Sequence, residues 1–459
     1  MTVPPPSGGA LVIEGAHLLT GDGAEYPDGH VVVTGDRIAA VGAGAAPPEA
    51  RPVGARVLDG RNCLVTPGFV NTHHHLYQWT TRGLAVDSTL FGWLTELYPV
   101  WAGIDEHAVD VSARAALATL AGTGCTTAAD HHYVFPRGGG DLLAAEIGAA
   151  RAVGLRFHPT RGSMDLGRAV GGLPPDEVLE DRDTVLAASA EAVDRWHDPA
   201  PGSMLRLGLA PCSPFSVTAE LMRDAAELAR DRGLHLHTHL AETLDEEEFC
   251  RERFGCSPLE YVESLGWTGP DVWFAHAVHL DGAAVARIGR TRTGVAHCPT
   301  SNARLGAGIA RVADLRAAGA PVGLGVDGAA SNEASSLLEE VRHALLFARA
   351  RGGPTALTVR DAVEMATLGG ATLLGRAAEL GTLTPGKLAD LAVWRLDGMA
   401  HADVADPVAA LVLGSPPPLE LLLVGGRPVV ERDVVLGVDT GALAAEAVVV
   451  HRDLLRRAG

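Results

Sequence analysis

Two histidines separated by one residue follow an apolar run near the start of the chain. His73 and His75 come directly after Leu64–Val70, which is typical of a buried strand. Side chains alternate along a strand, so both imidazoles are expected to point to one side, with His74 directed elsewhere. Two imidazoles at this spacing suit a divalent metal ion. Alone, the motif is equally compatible with two unrelated polar histidines.

Further polar side chains stand where apolar runs end later in the chain. They are His239, Glu242, His276 and Asp327. If these runs are parallel strands of a barrel, their carboxyl ends meet on one face, and the side chains converge there. A single histidine at a strand end is more often an ordinary polar residue of the rim. Several such residues on the same face indicate a site.

The residue types divide by chemical role. His73, His75 and His239 offer neutral nitrogen donors, and a divalent ion held by them lowers the pKa of a water molecule. Asp327 adds an anionic oxygen that also accepts a proton from water; the whole set suits zinc and also admits iron. Glu242, three residues after His239, is placed to move a proton onto a substrate ring nitrogen. Its alternative role is that of a first-turn acid of the next helix.

Apolar strand-like runs alternate with amphipathic helix-length runs through the middle of the chain. We predict eight strands, at Leu64–Val70, Cys125–Asp130, Leu155–Thr160, Leu205–Ala210, Leu234–Leu240, Val272–Ala275, Gly294–Ala296 and Pro321–Gly325. Helix patterns lie between them, for example at Glu106–Ala121, Leu142–Val153, Arg182–Trp196, Thr218–Arg230 and Ile309–Ala317. This alternation predicts a parallel (β/α)8 barrel of the TIM type. The rival fold, an open doubly wound sheet, is weakened in its dinucleotide-binding form because no G-x-G-x-x-G follows the first strand.

Short strand-like runs and turns occupy both ends of the chain. Residues 1–63 and 378–459 are therefore predicted to form one small β-sandwich domain. It would lie beside a metal-dependent catalytic barrel of residues 64–377.

The amino-acid composition limits the classes of partner that the protein is expected to bind. The 459 residues carry a formal net charge of −19, which disfavours nucleic acids and anionic membranes and leaves a small-molecule substrate. Six scattered cysteines and no signal-peptide pattern from Met1 through Pro6 fit a cytoplasmic protein. Lys387 is the only lysine, so a Schiff-base mechanism or a lysine-derived bridge between two metals is nearly excluded.

A first group of motifs resembles the amidohydrolase superfamily, in its cytosine/guanine deaminase-like branch. The motifs are Pro67–His75, His239–Thr243, Ala275–His276, His297–Asn302, Asp327–Asn332 and Gly381–Leu391. The resemblance implies a mononuclear hydrolase of C–N bonds in cyclic amidines, with a homo-oligomeric assembly. A non-catalytic relative would have lost the metal ligands, which are all present.

A second group of motifs resembles the 8-oxoguanine deaminases of that branch. It comprises His73–Gln78, Thr126–Tyr133, Arg161–Gly167, Gly171–Asp176 and Ala210–Phe215. The implied reaction is hydrolytic deamination of a free oxidised purine to urate and ammonia. Glu242 would protonate the ring nitrogen, Asp327 would carry a proton from water to the departing amine, and His276 would orient the attacking water. Isoxanthopterin deaminases and triazine hydrolases share much of the pattern, so their substrates remain alternatives.

Five residues in the loops after the early strands are candidate substrate contacts. They are Gln78, Trp101, Arg161, Met164 and Cys212. Gln78 offers hydrogen bonds to a heterocycle edge, but ordinary loop polarity explains it nearly as well. Trp101 would stack on a ring or simply pack. Cys212 would touch substrate or fill a small buried space.

Overall fold

The computed structural model describes residues 9–459, which form seventeen strands and fifteen α-helices within that range. The strands are β1 (Leu11–Leu19), β2 (Glu25–Thr34), β3 (Arg37–Ala43), β4 (Arg56–Asp59), β5 (Cys63–Pro67), β6 (Phe69–Asn71), β7 (Cys125–His132), β8 (Arg156–Ser163), β9 (Gly208–Pro211), β10 (His235–Leu240), β11 (Val272–His276), β12 (Gly294–His297), β13 (Val322–Leu324), β14 (Leu391–Arg395), β15 (Leu419–Val424), β16 (Arg427–Glu431) and β17 (Val434–Val435).

The helices are α1 (Leu90–Trp101), α2 (Glu106–Gly122), α3 (Leu142–Val153), α4 (Arg182–Trp196), α5 (Ala219–Asp231), α6 (Leu244–Phe254), α7 (Pro258–Ser264), α8 (Gly282–Thr291), α9 (Pro299–Arg304), α10 (Val312–Ala317), α11 (Leu337–Gly352), α12 (Val359–Glu364), α13 (Gly370–Leu373), α14 (Pro407–Leu413) and α15 (Thr440–Ala458). Residues 1–8, which include the segment interpreted as lacking a signal peptide, lie outside the described residues. Across 9–459, none of the helices combines the length and apolar character needed to cross a bilayer.

Strands β6 to β13 pair in parallel and close into an eight-stranded barrel in chain order. Every residue of β7, β11 and β12 is buried, because the barrel interior covers one face of each strand and the helices cover the other. The (β/α)8 prediction is confirmed, and the predicted bounds of α3 and α4 match the structure.

Strands from both chain ends form a second, nine-stranded sheet. Its order is β17-β16-β15-β14-β5-β1-β2-β3, with β4 paired to β1. Ile13 and Val31 from the first part of the chain share one apolar core with Leu391 and Leu423 from the last part. The expectation that both ends build one small β-domain is therefore confirmed.

The predicted first strand, Leu64–Val70, is divided at Gly68. Its first part, β5, pairs with β14 and β1 in the nine-stranded sheet, whereas β6 pairs with β7 and β13 in the barrel. A continuous apolar run hides this change because both strands are fully buried. Gly68 marks the seam: a Cβ atom there would overlap the Thr126 side chain of the neighbouring strand β7.

The C-terminal segment ends in a long helix that the strand-based prediction did not include. Helix α15 packs on the barrel side of the molecule: the His451 Nδ1 donates to the Thr80 carbonyl at 2.7 Å. Arg457 near its end donates to Asp105 Oδ2 at 2.8 Å. The chain therefore returns to the barrel after completing the small sheet.

We predict that Gly68→Ala lowers the free energy of unfolding by about 1–3 kcal/mol, because the added methyl overpacks the seam. Urea denaturation of the folded enzyme measures the change. Gly122→Ala is the matched control, since a Cβ at Gly122 meets no atom within 4 Å. Combining Gly68→Ala with Thr126→Gly should recover part of the loss. Equal stability of Gly68→Ala and the parent would contradict the steric explanation.

Candidate active site

The four predicted metal ligands converge at the carboxyl-terminal end of the barrel. His73 and His75 follow β6, His239 lies in β10, and Asp327 follows β13. The His75 and His239 Nε2 atoms are 3.1 Å apart. Asp327 Oδ1 lies 3.2 Å from His73 Nε2 and 3.3 Å from His75 Nε2. All four side chains are buried, so barrel closure brings together residues that are far apart in the sequence.

A relay of hydrogen bonds determines which nitrogen of His73 carries the proton. His237 Nδ1 lies 2.9 Å from the Trp273 carbonyl, which only accepts, so the proton of His237 is on Nδ1. Burial lowers the pKa of His237 to about 3, so it carries no second proton at neutral pH. Its Nε2 therefore accepts from His73 Nδ1 at 2.8 Å. His73 Nε2 is left with a lone pair and no hydrogen-bond partner among the described residues.

The other two imidazoles are oriented by backbone carbonyls. His75 Nδ1 donates to the His131 carbonyl and His239 Nδ1 donates to the Cys212 carbonyl, each at 2.7 Å. Burial lowers the pKa of His73 and His239 well below the usual value, which keeps them neutral. The Nε2 atoms of the three rings, whose Nδ1 protons are already engaged, thus face one another beside a carboxylate. This donor set fits a divalent cation.

His131 is a fifth polar group in this region that sequence reasoning did not assign. It stacks on His239 with ring centroids 4.7 Å apart, and its Nε2 donates to the Ala210 carbonyl at 2.8 Å. Its Nδ1 lone pair has no partner within residues 9–459. His131, His73 and His239 also bring ligand atoms within 4.8 Å of one another. The one sequence signal for this position is that His131 and His132 are adjacent at the end of a predicted strand.

Asp327 is held by hydrogen-bond donors at both of its carboxylate oxygens. The Ser301 and Ser331 hydroxyls donate to Oδ2 at 2.5 and 3.0 Å, and the Gly328 N–H donates to Oδ1 at 2.7 Å. The backbone of Asp327 has a φ of +63°, a strained value for a residue with a side chain. These contacts fix the carboxylate against the histidines.

Glu242 stands in a strained turn between β10 and α6. Ala241 before it has a φ of +52°, and the buried Glu246 carboxylate accepts the N–H groups of Ala241 and Glu242, each at 2.9 Å. Burial, followed by the negative charge of Asp327, raises the pKa of Glu242 well above its usual value. Both effects favour the protonated form of this carboxyl group. Sequence reasoning missed Glu246, because an acid in the first turn of a helix is usually exposed.

His276 completes the polar side of the site. It has a φ of +70°, and its Nδ1 donates to Asn302 Oδ1 at 2.9 Å. Its Nε2 faces Glu242 Oε2 at 3.6 Å, which is too long for a direct hydrogen bond. His276 and Glu242 therefore flank the open side of the ligand cluster.

A narrow cavity of about 30 Å³ opens beside these groups. Trp93 and Leu94 of α1, with Phe215, form apolar walls. Gln78 lines the cavity and is fully buried, and neither atom of its amide has a hydrogen-bond partner among the described residues. Cys212 also lines it, and burial raises the pKa of this thiol to about 12, so it remains protonated. Two of the five candidate substrate contacts therefore face the site.

The other three candidates, Trp101, Arg161 and Met164, do not line the cavity. Trp101 is completely buried, and its indole N–H donates to Thr81 Oγ1 at 3.1 Å. Arg161 is paired with Glu180 at 2.6 Å. The Met164 sulfur is buried and accepts a hydrogen bond from a tyrosine hydroxyl. Each was assigned from its position after a strand or on a nearby loop, but each is fully engaged in packing or ion pairing.

We predict that His237→Phe weakens zinc affinity about 10- to 100-fold. Phenylalanine can keep the stack on Trp273, whose ring lies 4.3 Å from that of His237, but it cannot accept the His73 proton. Competition with a chromogenic chelator measures the affinity. His107→Phe, at an exposed position, is the control. Unchanged zinc affinity in folded His237→Phe would contradict the relay.

Comparison with known proteins agrees with this geometry. The amidohydrolase family profile matches residues 64–429. An 8-oxoguanine deaminase from Pseudomonas aeruginosa is 45% identical over 430 residues, 93% of this chain and 95% of the relative. An isoxanthopterin deaminase from an unknown prokaryotic organism is 36% identical and covers 97% of this chain and 96% of its own length.

A solved structure shows the same likeness in three dimensions. The atrazine chlorohydrolase from Arthrobacter aurescens, complexed with zinc, superposes with a TM-score of 0.90 at 32% identity. The match covers 96% of this chain and 100% of that chain. The expectation of a hydrolase that acts on C–N bonds is confirmed by the family and its deaminase members. The chain therefore belongs to the amidohydrolase family.

Proposed function

We propose that this enzyme is a metal-dependent deaminase of a free oxidised purine base, with 8-oxoguanine converted to urate and ammonia. The observation that carries the deaminase assignment is the position of the buried Glu242 carboxyl group, which lines the cavity beside a cluster of three imidazoles and one carboxylate. Such a pair can protonate a heterocycle while water attacks the adjacent carbon. The substrate rests on the 45% identity with the 8-oxoguanine deaminase.

The residues of the site divide the proton transfers among them. When bound, a divalent cation, taken here to be zinc with iron(II) as the alternative, lowers the pKa of a water molecule and supplies the nucleophile. Glu242 donates its proton to the ring nitrogen next to the amine-bearing carbon. Asp327 accepts the proton released from water and passes it to the departing amine. His276, held by Asn302, orients the water.

The cavity, of about 30 Å³, is smaller than any of the candidate substrates, and its apolar walls include Trp93 and Phe215. Even a bicyclic base requires these walls to move outward. The unpaired amide of Gln78 and the neutral Cys212 thiol are the groups that would contact the edge of such a base.

Isoxanthopterin is the second candidate substrate, because a relative 36% identical over almost the whole chain carries that activity in its name. Hydroxylated s-triazines are a third, since a hydroxydechloroatrazine ethylaminohydrolase is 38% identical over 88% of this chain. All three classes present an amidine-like carbon to the same proton donor.

A panel of ammonia-release assays tests the substrate. We expect 8-oxoguanine to have a kcat/KM at least tenfold above those of guanine, isoxanthopterin, cytosine and hydroxylated triazines. Formation of urate is followed independently by its ultraviolet absorbance. The substrate assignment fails if 8-oxoguanine is inert while another compound in the panel turns over.

We predict that Glu242→Gln reduces kcat about 10²- to 10⁴-fold and leaves the zinc content unchanged, because the amide cannot transfer the proton. Single-substrate kinetics and metal analysis of the same preparation measure both quantities. Glu248→Gln, which makes the same change at an exposed position of α6, is the control. Near-normal turnover of Glu242→Gln would remove this residue from the proton transfer.

We predict that Glu246→Gln lowers kcat about tenfold or more with little change in KM. The amide can accept from only one of the two N–H groups that Glu246 now holds, and its NH₂ group opposes the other. Without both hydrogen bonds the strained turn relaxes, and the Glu242 side chain is no longer held in its position. Glu248→Gln again serves as the control, and kinetic parameters equal to those of the parent would show that the turn holds without Glu246.

A further inference from the structure

A second cavity, of about 100 Å³, opens at the amino-terminal end of the barrel. It is lined by His158 of β8, by His235 at the start of β10, and by His197 and Arg206 from the segment between α4 and β9. His235 and His239 are four residues apart on the same strand, so the cavity lies about 13 Å from the metal ligands along that strand. It is thus separate from the proposed catalytic site.

The His158 and His197 rings line the cavity, and each has one ring N–H group left to donate. Arg376 Nη1 lies 3.4 Å from His158 Nε2, and a guanidinium only donates, so the ring proton of His158 is on Nδ1. The Leu207 N–H donates to His197 Nδ1 at 3.1 Å, so the ring proton of His197 is on Nε2. Burial lowers the pKa of both histidines, which keeps each ring neutral. Neither ring N–H has a hydrogen-bond partner among residues 9–459, and neither is sealed from solvent.

Arg206 adds a third donor, and this one is shut off from solvent. Its Nη2 donates to Glu379 Oε1 and to the Ala200 carbonyl, both at 3.1 Å. Its Nε is buried and has no hydrogen-bond partner in the described part of the chain. A buried donor without an acceptor is costly, so a ligand that supplies acceptors here is favoured.

The charges around the cavity leave one positive charge in excess. Arg156 donates to both oxygens of Asp390, at 3.2 and 3.1 Å. Glu379 is shared between Arg206 and Arg376. Three guanidinium groups therefore face two carboxylates.

Other carboxylates near the imidazoles do not cancel this excess. Asp271, which faces His235, is paired with Arg230 at 2.9 Å. Asp198, which faces His197, is exposed, and its Oδ1 accepts the Ala200 N–H at 3.0 Å. Solvent screens such an exposed charge more strongly than the buried ones.

We infer that this cavity binds a small tetrahedral oxyanion, with inorganic phosphate as the probe. Phosphate offers acceptors on every side and no obligatory donor at its charged oxygens, which matches three N–H groups that lack acceptors. Its negative charge compensates the excess guanidinium. An oxyanion bound there would connect His158 of β8 to Arg206 and His197, which lie in the segment before β9. It would therefore stabilise the amino-terminal end of the barrel.

Calorimetric titration of the zinc-loaded enzyme with phosphate tests the inference, with sodium chloride used to hold the ionic strength constant. We expect saturable binding and a rise in Tm that sodium nitrate at the same ionic strength does not produce. Arg206→Gln should raise Kd at least tenfold, since it removes a charged hydrogen bond. Arg223→Gln, an equal charge change at an exposed position of α5, should leave Kd unchanged.

His197→Ala is the second variant, because it removes one donor without breaking an ion pair, and it decides the matter if Arg206→Gln does not fold. Crystals soaked in selenate should show anomalous density in the cavity. Absence of saturable phosphate binding, equal affinity in both donor variants and the parent, or equal loss in Arg223→Gln overturns the inference. Ammonia release from the best substrate should be unchanged in all these variants, so this test and that of the proposed reaction can fail separately.

Discussion

The catalytic end of this barrel depends on where the protons of three buried imidazoles lie. His75 Nδ1 and His239 Nδ1 donate hydrogen bonds to the backbone carbonyls of His131 in β7 and of Cys212 just after β9. His73 Nδ1 donates to His237 Nε2. His237 is fixed in turn by the Trp273 carbonyl, and these two residues are partners in the β10–β11 register. The hydrogen-bond register of the barrel therefore sets the direction of each lone pair. A cation would find its ligands already oriented, with little rearrangement required.

The strained residues of the site are each held by a buried polar partner. Ala241 precedes Glu242 in a left-handed conformation, and Glu246 accepts both of their N–H groups. His276 has a positive φ and bonds to Asn302. Such conformations cost about 1–3 kcal/mol each and persist only where the surroundings determine them. The barrel strands on either side hold these backbone conformations in place. The strained residues lie at strand ends, where the side chains of the site must point in a fixed direction.

Sequence patterns were sufficient to predict the position of site residues that lie at the ends of barrel strands. His239 and Asp327 were predictable as neighbours because parallel strands in a barrel finish on one face. Trp101 does not line the cavity, because its indole is packed against partners elsewhere in the fold, which no local pattern records. Glu246 was missed for a related reason: an acid that accepts two buried N–H groups has the same local sequence as a solvated first-turn acid. The break at Gly68 was hidden because both halves of the run are buried.

The break at Gly68 affects whether the small domain of this protein can be exchanged for another. Strand β5 is integral to the small sheet, yet its last residue, Pro67, is only six positions from His73. Buried Arg156 of the barrel also forms an ion pair with Asp390 of the other domain. Exchange of the small domain for a foreign one would therefore disturb the segment that carries His73 and His75. The small sheet and the barrel are therefore joined as one unit through this short segment, rather than as interchangeable parts.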